Sequence, residues 1–382
     1  MKNKVYILFL ASVILLASVL YSVCFAEGTS EESELVAFIP DEEPICPLFS
    51  DAAHFDPPSS PVTESDYAEL TFSFAGDCTL GFDKDFDPRY RFDTMVEKKN
   101  RDFSYFLGGV KHVFNNDDMT LVNLEGVFTD RTEEVKKAYN FKGSLDYVKI
   151  LTSSSVEAVS LGNNHSRDFG EEGLDDTKKV LAENDIAYSV DSLAGIYEVR
   201  GFKIGFISVN IHYDGTKVEG FIIKAMKSLE SENVDVLIVS CHWGVEKSSR
   251  LNDYQKYLGH KIIDWGADIV VGTHPHVLQG IEMYKGKYIY YSLANFCFGG
   301  NMNPSDKDTM IVSQSVRLEK GKYKDSKVQI IPCSVSSKSY INDYRPTEAK
   351  GNEKSRIIGR MNALCDEFSL CIDDNGFMNI DL

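Results

Sequence analysis

Two histidines two residues apart, His274 and His276 in Gly272-Thr273-His274-Pro275-His276, follow the apolar run Ala267-Asp268-Ile269-Val270-Val271. Imidazole is the commonest protein ligand for metal ions, and an extended chain points every second side chain the same way. The pair therefore predicts a metal clamp projecting from the end of a buried strand. Four further stretches share that architecture, an apolar strand-like run ending in a group that binds metal or moves protons. Leu70 to Ala75 runs into Gly76-Asp77, and Thr120 to Leu124 ends at Glu125-Gly126. Val156 to Leu161 leads into Gly162-Asn163-Asn164-His165, with Asp168 and Gly170 close behind, and Val234 to Ser240 delivers Cys241-His242-Trp243-Gly244. In open α/β sheets, sites form outside the carboxyl ends of the strands, which is where all these stretches place their polar residues. A single histidine beside a core is more often a hydrogen-bonded structural residue, but the recurrence at successive strand ends predicts one site. The remaining histidines, His54, His112, His212 and His260, are assigned surface or structural roles.

The elements that must hold these groups follow from periodicity. Amphipathic spacing predicts helices over Gly173 to Asn184, Phe221 to Glu232 and Tyr254 to Trp265, and the alternation of strand and helix favours a layered α/β fold. Residues 1–26 combine Lys2 and Lys4 with an apolar stretch from Val5 to Tyr21 and small residues near Ala26. They are expected to be a signal peptide, or an uncleaved anchor, since the apolar stretch approaches the roughly 20 residues of a spanning helix. Val23 makes Cys24 a poor lipidation site. Residues 27–66, rich in Asp, Glu, Pro and Ser, read as a solvated tether. About 315 residues remain, enough for one large domain, assigned to 67–335, with 336–382 as a carboxyl-terminal extension packed on it. That end is expected to hold an ancillary strand after Asp325 and a surface helix near Glu353 to Phe368. The chain is accordingly expected outside the cell or at its surface.

Lys and Arg number 40 against 58 Asp and Glu, a net charge of -18. This argues against nucleic-acid binding and against diffuse capture of any polyanion, so an acidic substrate would need a local centre of positive charge. Bound metal ions supply one. The cysteines form no Cys-x-x-Cys pairs of the structural zinc kind. Cys78 and Cys241 adjoin the site as small buried hydrophobes, and Cys365 with Cys371 is the one candidate disulfide.

Taken in order, Gly76-Asp77, Asn123-Leu124-Glu125, Asn163-Asn164-His165 with Asp168 and Gly170, His242-Trp243-Gly244 with Glu246, Gly266-Ala267-Asp268, His274-Pro275-His276-Val277-Leu278-Gln279 and Tyr291-Ser292-Leu293-Ala294-Asn295-Phe296 resemble the capsule-biosynthesis protein CapA family, associated with poly-γ-glutamate. The resemblance covers roughly Glu69 to Phe298. That family is similar to the calcineurin-like metallophosphoesterases, which implies an α/β fold of the two-sheet αββα sandwich type with two divalent ions, of manganese, zinc or iron. In that reading Glu125 bridges the ions, Asn164, His242 and His274 complete one position, and Asp77 and His276 serve the other. His165 is implied to donate a proton to a leaving group, with Asp168 orienting its ring.

One departure is informative. Metallophosphoesterases usually carry Asp-x-His at the first strand, whereas this chain has Asp77-Cys78-Thr79, so one imidazole is missing. Thr79 is a poor substitute, and Asp83 or Asp85 reaches in only if the following loop folds back. The CapA-like family generally lacks that histidine too, which agrees with the resemblance and argues against ordinary phosphoesterase activity. Ala294 also stands where the family usually has glycine. The resemblance implies a role in synthesis, export or attachment of a poly-γ-glutamate-type polymer, with that polymer and membrane-bound capsule synthesis proteins as partners. The alternatives are a metal-dependent hydrolase of a phosphoester or amide bond unrelated to capsule, and a binding component without turnover.

Overall fold

A computed structural model describes residues 67–380; the expected signal or anchor and the tether lie outside the described residues. The chain is mixed α/β with two large sheets. We number their strands β1 (Tyr67–Thr79), β2 (Met119–Leu124), β3 (Ala158–Ser160), β4 (Ala187–Ser189), β5 (Gly195–Val199), β6 (Phe202–Asn210), β7 (Val236–His242), β8 (Ile269–Thr273), β9 (Ile281–Tyr284), β10 (Lys287–Tyr290), β11 (Asn295–Phe298), β12 (Asp308–Glu319), β13 (Lys322–Ser334) and β14 (Thr347–Glu348). The eight-stranded sheet runs β14-β13-β12-β1-β2-β3-β4, with β11 also paired to β1, and the six-stranded sheet runs β9-β10-β8-β7-β6-β5. Pairing is parallel along β1-β2-β3-β4 and along β6-β7-β8-β10, so the carboxyl ends within each of these runs lie on one edge.

Side-chain alternation explains why these runs are apolar nearly throughout. Leu70, Phe72 and Phe74 of β1 share a core cluster with Val236 and Ile238 of β7 and Ile269 and Val271 of β8, which therefore draws on both sheets. The residues between them turn the other way. Val122 and Leu124 of β2 join a second cluster, and Val239, Cys241 and Val270 join a third. A strand buried on both faces needs a continuous apolar run, and each large side chain so buried contributes about 1.5–3 kcal/mol.

Helices close the outer clusters. Helix α1 (Gly170–Ala182) buries Leu174, Val180 and Leu181 in the second. Helices α2 (Val218–Glu230) and α3 (Asp253–Asp264) bury Ile222, Met226, Leu229, Leu258 and Ile262 in the third. A capping box between Asn252 and Gln255 starts α3, the kind of N-cap worth about 1 kcal/mol. All three lie within a few residues of their expected spans.

The carboxyl-terminal end differs in detail from the expectation. Strand β13 is no ancillary element but pairs along nearly the whole of β12. Helix α4 (Asn352–Cys365) turns Ile357, Ile358, Met361 and Cys365 into the first cluster. Cys365 and Cys371 are free thiols, and Cys365 Sγ accepts from the Ile281 amide at 3.4 Å. The candidate disulfide is not formed, and Cys365 packs as a buried thiol in the first cluster.

Candidate metal centre

Asp77 lies near the end of β1, Glu125 follows β2, Asn164 and His165 follow β3, His242 closes β7, and His274 and His276 follow β8. Backbone detail aims them. Register between β1 and β2 shifts between Ala75 and Asp77, a bulge that redirects the carboxylate. The Asp77 amide then donates to Ala294 O at 2.9 Å. Gly76 permits this close approach, and Ala294 turns the facing chain with a φ of 63°.

The strand alternation expected to aim the histidine pair does not reach it. Strand β8 ends at Thr273, and His274 and His276 both take left-handed backbone, φ 96° and 58°. Such conformations cost about 1–3 kcal/mol each in side-chain-bearing residues and persist where surroundings enforce them. Here the His274 amide donates to Asp77 Oδ2 at 3.3 Å, and the Lys247 amide donates to Pro275 O at 2.7 Å.

The six expected ligands converge. His242 Nε2 lies 2.9 Å from Asn164 Oδ1, 3.0 Å from His274 Nδ1 and 3.6 Å from Glu125 Oε1. His276 Nδ1 lies 3.1 Å from Asp77 Oδ2 and its Nε2 3.9 Å from Glu125 Oε1. Asn123 Nδ2 donates to Asp77 Oδ1 at 2.7 Å, and Asn163 ties Asn123 Oδ1 and Leu124 O. Thr79 does not substitute for the missing imidazole, since its hydroxyl faces Glu125 Oε2 at 3.4 Å. Asp83 stays out of the cluster, because it accepts from the amides of Asp85 and Asn140.

Beside this cluster, His165 Nδ1 lies 2.7 Å from Asp168 Oδ2. Lys137 Nζ donates to Asp168 Oδ1 at 2.6 Å and to Asn164 O at 2.8 Å, and the Phe141 ring lies 4.3 Å from the His165 ring. Lys137 and Phe141 were not foreseen, and Asn123 was legible only as a member of the Asn123-Leu124-Glu125 motif, without a role. Lys137 and Phe141 sit in a loop between β2 and β3 with no sequence period, and only the fold reveals their partners. Asn163 and Asn295, whose Oδ1 lies 2.9 Å from His276 Nδ1, were legible as members of motifs but without roles. His212, assigned a surface or structural role, lies with its ring 4.0 Å from that of His274.

The electrostatics suit a cation. Burial holds His242 well below the usual imidazole range and takes His274 to about 3, helped by neighbouring histidines. Neutral imidazoles offer the lone pairs that metals take. Burial, then the charge of Asp77, raises the Glu125 carboxyl. Burial pulls His276 down, but Glu125 and Asp77 outweigh it and raise the ring. Most telling, Glu125 Oε1 is fully buried with no hydrogen-bond partner among the described residues, an arrangement that costs about 1–3 kcal/mol or more for a charged group. A divalent ion would satisfy that oxygen and displace the protons these groups otherwise hold. Two sets bring ligand atoms within 4.8 Å of one another, Asp77, Glu125 and His276, and Glu246, His274 and His276. They share His276, and Glu246 joins the centre as a residue previously noted only within a motif.

Fold and site thus define a mixed α/β protein with a buried histidine and carboxylate centre suited to divalent metal. The chain belongs to the bacterial capsule synthesis protein family PGA_cap, which matches residues 71–300. It is 30% identical over 256 residues to the PGA biosynthesis protein CapA of Bacillus subtilis, covering 60% of this chain and 63% of that one. It is 27% identical over 288 residues to the capsule biosynthesis protein CapA of Bacillus anthracis, covering 68% of this chain and 66% of that one. The aligned part therefore spans just under two thirds of these relatives. A hypothetical protein from Thermus thermophilus, known as a crystal structure, aligns at 16% identity with a TM-score of 0.42, covering 69% of this chain and 99% of that one.

Proposed function

We propose that this protein takes part in making, exporting or attaching a poly-γ-glutamate-type polymer through a two-ion metal centre on a two-sheet αββα sandwich of the metallophosphoesterase kind. The capsule and PGA biosynthesis names of the relatives support the polymer. One core cluster drawing on both sheets and two others closed by helices support the sandwich. The unpartnered, buried Glu125 Oε1 amid His242 and His276 is the observation that carries the metal centre. Export is part of the proposal and rests on the amino-terminal sequence alone.

In this reading Asn164, His242 and His274 would hold one ion and Asp77 and His276 the other, with the Glu125 carboxylate available to both. Ions held there would supply Lewis acidity and an acidified water near neutral pH. The chain's own work is positional. Asp168 accepts from Nδ1 of His165, which leaves Nε2 as the atom that takes up and releases a proton. Lys137 holds both Asp168 and the Asn164 carbonyl, so the one loop that carries Asn164, His165 and Asp168 is fixed at two points. Phe141 packs against one side of the His165 ring and shields that side.

A second reading, binding without turnover, draws on Thr79. Its hydroxyl serves Glu125, so the Asp77 position keeps a single imidazole. The two are separated by incubating the full chain with γ-linked glutamate polymer and measuring polymer length and binding, with and without added manganese or zinc. Metal-dependent change in polymer length that disappears in His165→Ala, with metal content retained, supports the catalytic form. Binding that survives that substitution without any change in length supports the second reading. A polymer neither bound nor altered would overturn both.

A further inference from the structure

We infer that the cavity over the metal centre and the cavity beside it form one track for an acidic chain, in which Lys247 and Lys338 read carboxylates and Tyr139 offers a stacking face. This rests on the polymer reading above and adds where the chain lies and which side chains recognise it.

The first cavity, of about 500 Å³, opens onto His165 and His276, a size typical of small-ligand sites. One part of its lining is aromatic. The rings of Phe86, Tyr139 and Phe141 lie 6.1 to 6.4 Å apart, and Tyr139 is 55% exposed. Such a face suits methylenes and amide planes, the apolar parts of a peptide-like chain. Lys247 lines the same cavity. Its backbone is pinned to Pro275, between the clamp histidines, while its ammonium has no partner among the described residues.

Ser305 and Asp306 line both this cavity and a second one of about 750 Å³, so the two adjoin. The other basic groups there are engaged. Arg360 holds Asp306, Arg356 and Arg360 hold Asp308, and Lys307 donates to Asn303 and Pro304. Lys338 is left with an ammonium that has no partner among the described residues. Glu348 and Glu353 also line this cavity, as Glu246 and Asp306 line the first, so each ammonium reads a carboxylate against neighbouring acids.

A net charge of -18 gives the chain no diffuse attraction for a polyanion, so recognition has to be local. Ammonium groups in successive cavities match an anion whose charges repeat along its length. A single carboxylate would use only the first. The test is calorimetric titration of the manganese-loaded full chain with γ-linked glutamate oligomers of increasing length. Affinity should rise with length. Lys247→Gln should weaken every oligomer by about fivefold, the upper end for a partly exposed ion pair, and Lys338→Gln should weaken only the longer ones, both losses shrinking with added salt. Oligomers that bind with no length dependence, or with both variants unchanged, would overturn the track and leave the polymer reading standing. No binding by any oligomer would remove the polymer reading and the track together.

Discussion

Replacing Gly76 with alanine tests how closely the site depends on one backbone approach. A Cβ there would lie 1.9 Å from Ala294 O, 2.9 Å from Ala294 C and 3.0 Å from Leu293 O. All three are main-chain atoms, so no rotamer relieves the clash. Ordinary contact begins at 3.4 Å, and the two chains must therefore part by about 1.5 Å. That movement breaks the 2.9 Å bond from the Asp77 amide to Ala294 O and carries Asn295 away from His276. Overpacking costs about 1–3 kcal/mol and an orphaned buried amide about 1–3 kcal/mol. The expected loss is therefore about 4 kcal/mol, large against the ~5–15 kcal/mol that holds a domain together. Urea unfolding followed by tryptophan fluorescence measures it, and elemental analysis of the folded fraction should show less bound metal. Gly359→Ala is the control, since its Cβ would meet nothing within 4 Å and alanine favours a helix interior by up to about 1 kcal/mol. A Gly76→Ala loss below about 1 kcal/mol with undiminished metal would refute the argument.

Three other outcomes follow from the same geometry. Burial lowers the His165 imidazole, Asp168 pulls it up, and Lys137 adds to the lowering, so Lys137→Met should raise its pKa in an NMR titration of the metal-free protein; an unchanged or lower value would contradict this. Burial would raise the Asp308 carboxyl, but hydrogen bonds from Arg356 and Arg360 hold it below its usual range. A carboxyl with a depressed folded-state pKa stabilises fully above its unfolded value, near 3.9, and loses that contribution as pH falls through the folded value. Asp308→Asn should therefore cost about 1 kcal/mol at pH 7 after allowing for solvent screening of a partly exposed pair, and the gap from wild type should close in acid; a gap that does not change with pH would count against the pairing. Chelation should lower the melting temperature, because saturating metal adds about 3–4 kcal/mol at several hundred times its Kd; a melting temperature indifferent to chelator would contradict a metal centre.

Much of this arrangement could be read before the fold was known, for a definite physical reason. Strands buried on both faces must be apolar along their length, so Asp77, Glu125, His242 and the His274 pair stood out as polar interruptions at run ends. Helices α1 to α3 announced themselves by apolar spacing. Lys137 did not, since it belongs to a polar loop and meets Asp168 only through tertiary contact. Glu246 was legible only as part of a motif, since an exposed acid in an acidic chain shows no role of its own locally. The aiming of His274 and His276 escaped as well, because strand alternation stops at Thr273 and two left-handed residues take over. Thr79 was recognised as a weak ligand, but its bond to Glu125 depends on two strands lying side by side.

The most direct measurement is metal content per chain for the full protein, purified without chelator or histidine tag. The account predicts about two equivalents of divalent metal, falling sharply in Glu125→Gln and in His276→Ala, the residues common to both proposed positions or candidate ligand sets. No bound metal, even after dialysis against manganese or zinc, would contradict it.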